Sequence, residues 1–478
     1  MNSNPLWTIA AWLWLCSAQQ AFAGKPQDGA AQRGYRHLRE TPYLPPDFDA
    51  DVFHELWKRW PEPLRSKAAK ATPAQRRKMA LERYGLMEPP EAKPGVPALG
   101  YVDDGKHGWV MNCFACHAGK VAGKVIPGAP NTHLDLQSLT EDVRATKIRL
   151  GKKLTHMDLG SLRIPLNTTA GSSNAVVFGI ALGELRDKDM NVALTFKREK
   201  PTHHDMDAPP WWNVRKKTML YCDAFSPKNH RVLMQFILIP QNGRKQILAW
   251  ENDFADILAY IESVRPPKYP WPIDRKLAAA GKTVFERNCA RCHGTYVGVH
   301  ASAWPGDGKP RQNDTLKREL QREYPQKVVP IDEIGTDPVR WKALTVTHRK
   351  RIEISWMSRY GKDRTVTEPA GYVAPPLDGL WASAPYFHNG SVPTLWHVLH
   401  PDKRPRIWKR TSPDGYDQKR IGLPVETFTA MPKGITDKVE RRRHFDTTKF
   451  GKSAAGHRFP NALTEDEKRA VLEYLKTL

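Results

Sequence analysis

Apolar residues recur at helical spacing along much of the chain and predict most of its elements. A period of three to four residues predicts helices at Asp51 to Trp60, Asn174 to Leu185 and Phe254 to Val264. A further amphipathic helix is predicted from Arg275 to Arg287. The nearly continuous apolar run Val232 to Ile239 predicts a strand instead.

Start and stop signals fix the ends of two of the predicted helices. Thr72 and Gln75 have the spacing of a capping box, and Gly85 closes the helix that begins there. Thr464 and Glu467 form the same box before a final helix with one apolar stripe.

A proline-rich stretch after Arg265 is the best domain boundary in the sequence, because prolines stop helices and stiffen linkers. We predict four segments in all. They are a signal peptide at 1–23, a helical N-terminal extension at 24–100, a first domain at 101–265 and a second domain at 273–478.

The pattern C-x-x-C-H, the attachment signal for a c-type haem, occurs twice. A bare C-x-x-C also suits half of a zinc site or a redox-active dithiol. A zinc ribbon would need two close pairs, whereas these copies lie 176 residues apart and each has its own histidine. We therefore predict two covalently bound haem c groups. The predicted thioether residues are Cys113, Cys116, Cys289 and Cys292, and the predicted proximal iron ligands are His117 and His293.

Each motif begins a segment that closes with an amphipathic helix, and the two closing helices can be laid over each other. In cytochrome c folds, a helix before the haem motif packs against a C-terminal helix. The expected fold class is therefore mainly α, with two cytochrome c-like haem domains, extended loop regions and an N-terminal helical extension.

The residue opposite each histidine decides what a haem can do, because an open iron binds O2 or peroxide and a six-coordinate iron mainly carries electrons. For the second haem we favour His457 as the distal ligand, with Met431 as the competitor. For the first haem, His133 lies in a loop that can reach the iron or only edge the haem.

Two adjacent aromatic residues, Trp211 and Trp212, are the candidate pocket residues of the first haem. They can wall the haem pocket, lie between the haems as an electron relay, or simply fill the core.

The net charge of the chain indicates what kind of partner it meets. Lys and Arg number 74 against 51 acids, a net charge of +23, which favours encounter with an acidic electron donor or acceptor. The basic residues are scattered and accompany no nucleic-acid motif, so we expect no nucleic-acid partner.

The N-terminus has the pattern of an export signal. An apolar run from Leu6 to Leu15 precedes the small-x-small site at Ala21 to Ala23, although residues 1–5 contain no Lys or Arg. That run is too short to span a bilayer. We expect a periplasmic or secreted protein without a membrane span.

Two stretches carry a family resemblance: Gly371 to Trp381, GYVAPPLDGLW, and Ala384 to Leu395, APYFHNGSVPTL. They resemble the di-haem cytochrome c peroxidase superfamily, and its rubber-oxygenase-like branch most closely. Tyr43 to Phe48 and Ala455 to His457 resemble that branch as well. The resemblance implies an N-terminal haem with an open catalytic site and a C-terminal haem with two protein ligands, one of them His457.

Three functions fit these observations. The first is an exported di-haem oxidoreductase whose N-terminal haem binds O2 or peroxide and whose C-terminal haem transfers electrons. The second is a pure electron-transfer cytochrome c, and the third is a haem dioxygenase that cleaves an apolar polyene. The 455 residues left after signal cleavage exceed what two minimal cytochrome units need, which favours an enzyme over a carrier.

Overall fold

A computed structural model describes residues 29–90, 95–193, 199, 202–296 and 324–478. The predicted signal peptide at 1–23 lies outside these residues. In chain order the α-helices are α1 Ala30–Glu40, α2 Ala50–Glu55, α3 Leu64–Ala69, α4 Pro73–Tyr84, α5 Phe114–His117, α6 Leu136–Arg149, α7 His156–Arg163, α8 Ala175–Gly183, α9 His230–Leu233, α10 Arg244–Ala249, α11 Glu251–Ser263, α12 Arg275–Asn288, α13 Ala290–His293, α14 Ile331–Ile334, α15 Val339–Ala343, α16 Val346–Glu353, α17 Leu395–Leu399, α18 Lys438–Arg442 and α19 Glu465–Leu475.

Short 3-10 helices and short strands complete the described structure. The 3-10 helices are Leu56–Arg59, Trp211–Lys216, Met234–Ile237, Trp356–Ser358, Leu380–Ala382, Pro401–Lys403 and Phe459–Ala462. The strands are β1 Phe48–Asp49, β2 Tyr101–Asp103, β3 Gly108–Met111, β4 Ala118–Val121, β5 Lys124–Pro127, β6 Ser172–Ser173, β7 Met206–Asp207, β8 Met219–Leu220, β9 Ser226–Pro227, β10 Val328–Pro330, β11 Gly371–Val373, β12 Ile407–Arg410, β13 Val425–Phe428 and β14 His444–Asp446.

The predicted mainly α fold of two cytochrome c-like domains is wrong. Helices make up 43% of the structure and strands 12%, and the described strands form six small antiparallel sheets. The strands are two to four residues long, which is too short to produce a visible alternation of apolar and polar positions. An example is the hairpin of β4 and β5, which follows directly on the first C-x-x-C-H motif.

The predicted strand at 232–239 is also wrong, because α9 and the 3-10 helix Met234–Ile237 occupy it. The Asn229 side chain begins the helix by accepting the Val232 N–H at 3.0 Å. Val232, Met234 and Ile237 are all buried, and a short run that is buried on several sides has the same apolar pattern in either conformation.

The capping predictions are confirmed. Thr72 and Gln75 form both arms of their box, and Gly85 ends α4 in the left-handed region at φ +69°. A Cβ atom at Gly85 would lie 2.0 Å from the His133 carbonyl oxygen, so no larger residue fits there. Thr464 and Glu467 likewise form the box that begins α19.

Two close helix crossings flank the C-x-x-C-H motifs, and each depends on a glycine. Where α1 crosses α11, a Cβ at Gly34 would lie 2.0 Å from the Asp256 carbonyl oxygen. Where α12 crosses α19, a Cβ at Gly281 would lie 1.9 Å from the Ala470 carbonyl oxygen. The two helix backbones therefore lie in direct contact at both crossings.

Among the described residues, no helix combines the length and apolar character that a bilayer span requires.

Candidate functional site

The first motif sits on a short helix that the following loop holds in place. Cys113 is the residue before α5, and Cys116 and His117 end that helix. Asn131 fixes its carboxyl end, because its backbone N–H donates to the Cys116 carbonyl at 2.9 Å and its side chain donates to the Ala115 carbonyl at 2.8 Å. Both cysteines are free thiols, and desolvation raises the pKa of Cys113 to about 12 and that of Cys116 to about 11.

His117 is oriented by a backbone carbonyl. Its Nδ1 lies 3.1 Å from the Pro209 carbonyl oxygen, which accepts from a protonated Nδ1 and leaves Nε2 free for a metal. Burial lowers the pKa of His117 to about 4, so the ring is in the neutral form that coordinates metals. The Trp211 ring stacks on it, with centroids 5.0 Å apart and an angle of 26° between the planes.

The second motif repeats this arrangement. α12 runs directly into Cys289, and α13 carries Cys292 and His293. Desolvation raises the pKa of the Cys289 thiol to about 11. The Nδ1 of His293 lies 2.9 Å from the Pro375 carbonyl oxygen, and desolvation lowers the pKa of this histidine as well.

The two carbonyls that orient the histidines belong to a repeat that was not predicted from the sequence. Pro209 stands in Ala208-Pro209-Pro210 and Pro375 stands in Ala374-Pro375-Pro376. A search for a second short motif at a matching place after each C-x-x-C-H would have found it. The repeated tripeptide identifies Pro209 and Pro375 as the backbone supports of the two motif histidines.

The His457 ring lies close to the His293 ring. The two ring centroids are 6.2 Å apart. A metal held between two imidazoles needs roughly 6 Å, since each metal–nitrogen bond is about 2 Å and each nitrogen lies about 1 Å from its ring centre. Burial, then the nearby His293 and Arg404, lowers the pKa of His457 to about 3, so this ring is also neutral.

The backbone around His457 is constrained. Its φ is +47°, a strained value for a residue with a side chain, and its N–H donates to the Ile334 carbonyl at 2.6 Å. Gly456 before it admits no side chain, because a Cβ would lie 2.2 Å from the Gly335 carbonyl carbon. The Nδ1 of His457 is buried and has no partner among the described residues. Backbone strain of this kind is typical of functional positions, including ligand positions.

Met431 and His133 are placed differently. Met431 lies in the loop after β13, the strand that pairs with β12, and it is the His457 ring that contacts His293. Both ring nitrogens of His133 are buried without a hydrogen-bond partner among the described residues. Burial, then the charges of Arg410 and Lys120, lowers its pKa well below the usual range. In the described part of the chain, the ring that lies against His117 is that of Trp211 rather than a second imidazole.

The loops that support the two histidines are bonded to each other. The Trp212 Nε1–H donates to the Asp378 carbonyl at 2.8 Å, and the Asn213 side chain donates to the Pro376 carbonyl at 3.0 Å. Lys216 forms a buried ion pair with Asp378 at 2.8 Å. Trp212 is fully buried in the same hydrophobic cluster as Phe285, so it joins the two motif regions from inside the core.

The donor atoms suit a haem better than a bare metal ion. Within the described ranges, His, Cys, Asp and Glu side chains nowhere gather in threes at metal-binding distance, as a zinc site requires. Each motif instead has two free thiols for thioether bonds and one neutral imidazole with Nδ1 engaged. That set fits a covalently attached haem with one proximal histidine.

Two uncharacterised proteins are similar to part of this chain. The chain is 28% identical over 264 residues to the uncharacterised protein y4iJ of Sinorhizobium fredii, across 45% of this chain and 41% of that protein. It is 29% identical over 278 residues to the uncharacterised protein y4iM of the same organism, across 52% and 56% of the two chains. The alignments therefore span about half the length of these relatives.

A family match covers residues 371–409. This segment contains Pro375 and most of strand β12. The matched family is described as RoxA-like, cytochrome c-like. This match supports a haem c protein of the RoxA-like cytochrome c branch, with an oxidoreductase or electron-transfer role.

Proposed function

We propose that this protein is an exported di-haem oxidoreductase in which the two haems have different roles. The haem of His117 binds O2 or peroxide on its open side, and the haem of His293 is closed by His457 and transfers electrons. Cys113 with Cys116, and Cys289 with Cys292, are the thioether residues. A bound haem supplies the redox-active iron, and the chain supplies ligation, orientation and burial.

The inequality of the two motif histidines is the observation that carries this proposal. The His293 ring has a second imidazole at 6.2 Å, in a strained loop, whereas the His117 ring has Trp211 stacked on it. Trp211 comes two residues after Pro209, so it belongs to the same supporting loop as the carbonyl that orients His117. Among the ring contacts of the described residues, His293 thus has a second imidazole beside it and His117 does not.

The bonded loops supply a route for electrons between the two sites. It leads from the His117 ring to Trp211, along the chain to Asn213, and across one hydrogen bond to Pro376 beside Pro375. Covalent and hydrogen-bonded steps of this kind make a short connection between the two proximal histidines. Trp211 and Trp212 therefore act as relay and packing residues in this proposal.

The redox partner in this proposal is a periplasmic protein with an acidic face. A net charge of +23 attracts such a partner at long range, and salt screens the attraction. Its rate of reaction should fall steeply as ionic strength rises, and a rate independent of salt would contradict an acidic partner.

Haem content and spin state of the isolated protein test the proposal together. We expect two haem additions in the intact mass and, in the oxidised protein, one low-spin and one high-spin iron. Fewer than two haem additions would contradict the di-haem assignment. Two low-spin irons that bind no external ligand in any redox state would favour the electron-transfer cytochrome instead.

Oxidative cleavage of an apolar polyene is the second candidate. The match to the RoxA-like family favours it. The entirely apolar helix α8, AVVFGIALG, begins at Ala175, two residues after Ser173, whose side chain hydrogen-bonds the Cys116 thiol. Product analysis with a short polyene under O2 separates this activity from peroxide reduction.

A further inference from the structure

Arg404 occupies an unusual position beside the loop that carries His457. All five N–H groups of its guanidinium point at backbone carbonyls. The distances are 3.1 Å to His397, 2.7 Å to Ala454, 2.7 Å to Gly456, 3.3 Å to Val398 and 3.4 Å to His457. Three of these five carbonyls belong to the segment that ends in His457.

The Arg404 charge has no direct counter-charge in the described part of the chain. Asp402, an acid that acts on Arg404 at longer range, is exposed and pairs with Arg458 at 2.7 Å. Burial, then the neighbouring Arg458, lowers the pKa of Arg404 to about 10, so the side chain is still a cation at neutral pH. An unneutralised cation in a half-buried position is costly, which points to a role beyond packing.

Arg404 also reaches the ligand ring through one intermediate. Its guanidinium lies 4.7 Å from the centroid of the Phe387 ring, and the Phe387 and His457 rings are 6.0 Å apart. The cation therefore stacks on the ring that packs against His457.

Other side chains hydrogen-bond the beginning of this loop, and the Arg404 guanidinium hydrogen-bonds its end. Asn389 donates to the Gly451 and Ser453 carbonyls at 3.2 and 3.0 Å, and Asp337 accepts the Ser453 N–H at 2.9 Å. These bonds hold the beginning of the loop, whereas Arg404 holds Ala454, Gly456 and His457. The Ala455 N–H also donates to the Ser453 side chain at 3.1 Å, and the His457 N–H donates to the Ile334 carbonyl at the far end.

From this geometry we propose that Arg404 is the positioning residue of the second haem. Its planar fork holds His457 at the distance that a six-coordinate iron requires, and its charge favours the ferrous over the ferric iron. The proposal rests on the proposed function only in taking His457 as the distal ligand. A cation close to an iron centre stabilises the reduced state, because that state carries one positive charge fewer.

Two substitutions at Arg404 separate the effect of its planar guanidinium from the effect of its charge. Substitution of a neighbouring arginine is the control. Arg404→Met removes both, while Arg404→Lys keeps the charge and loses the planar fork. Arg458→Met removes an exposed arginine that is adjacent to His457 in sequence and pairs with Asp402. Each variant is purified as the full holoprotein.

Three measurements apply to each variant: amide hydrogen exchange over residues 453–458, CO binding by the second haem, and that haem's midpoint potential. We expect Arg404→Met to speed exchange at least tenfold, to let a fraction of the second haem bind CO, and to lower the potential. Arg404→Lys should speed exchange less and keep the potential near wild type. Arg458→Met should change none of the three.

A lower melting temperature with unchanged exchange, CO binding and potential in Arg404→Met would show a merely structural arginine and overturn the proposal. Equal effects in Arg458→Met would overturn it as well. If Arg404→Met does not fold, unchanged exchange in Arg404→Lys serves as the contradicting result. A wrong assignment of His457 as the ligand can be told apart from a wrong role for Arg404. In that case His457→Ala would leave the spectrum of the second haem unchanged, while amide hydrogen exchange would still report on Arg404.

Discussion

The two C-x-x-C-H regions share their supports and differ in the ring that lies beside the motif histidine. In both, Nδ1 of the motif histidine meets the carbonyl of the first proline in an Ala-Pro-Pro tripeptide, at 3.1 and 2.9 Å. In both, a glycine allows two helix backbones to touch beside the motif. The second region then adds His457 and a bracing arginine, whereas the first adds a stacked tryptophan. In the proposed function, the shared parts hold a haem and the differing parts decide what that haem does.

The largest expected effect comes from removing the thiols of one region at a time. Cys113→Ala with Cys116→Ala should remove only the first haem, and Cys289→Ala with Cys292→Ala only the second, because each pair is proposed to form the thioethers of its own haem. Intact mass and the pyridine haemochrome spectrum measure the loss. Both haems retained in either double variant would contradict covalent attachment at that motif.

Removal of the distal candidate should convert the second region into a copy of the first. His457→Ala should make the second haem high-spin and able to bind CO, since the ring 6.2 Å from His293 is gone. Met431→Ala is the matched control and should leave both spectra unchanged. If the control changes the second haem and His457→Ala does not, the distal ligand is Met431.

The contact between the two regions gives a smaller, kinetic prediction. Asn213→Ala removes the 3.0 Å hydrogen bond to the Pro376 carbonyl and should slow electron transfer between the haems several-fold, with both spectra unchanged. Stopped-flow reduction followed at the two haem bands measures the rate. A wild-type rate would mean that electrons take another route.

The helix crossings test whether the shared supports are equally important. Gly34→Ala and Gly281→Ala would each force a Cβ to within about 2 Å of a backbone oxygen, so helices must separate. Each should lower the free energy of unfolding by roughly 1–3 kcal/mol, as overpacking does. Chemical denaturation monitors the change, and Gly29→Ala is the control because a Cβ there meets nothing within 4 Å. A large effect at only one crossing would show that the two regions are supported differently.

The sequence predicted the parts of this structure that depend on local chemistry. Helix ends with capping boxes at Thr72 and Thr464 came out as expected, because the cap is formed by residues three apart. The motif cysteines and histidines were recognisable for the same reason. His457 was a prediction from its place before the last helix, and the structure brings its ring to His293.

Features made by distant residues could not be predicted in this way. The six small sheets arise from strands too short to alternate visibly, and the run at 232–239 is helical because it is buried on several sides. The Arg404 brace joins residues 50 or more positions apart through backbone carbonyls, which carry no sequence signal. The Ala-Pro-Pro repeat can be seen in the sequence. Its role follows only from the structure, in which the carbonyl of each first proline lies beside a motif histidine.

CO titration of the fully reduced protein tests the central claim, the inequality of the two haems, most directly. We predict one CO bound per chain, at the haem attached to Cys113 and Cys116, with the second haem unchanged at saturating CO. The double variant Cys289→Ala with Cys292→Ala should still bind one CO, and the variant Cys113→Ala with Cys116→Ala should bind none. Two CO bound per chain, or none, would contradict the account.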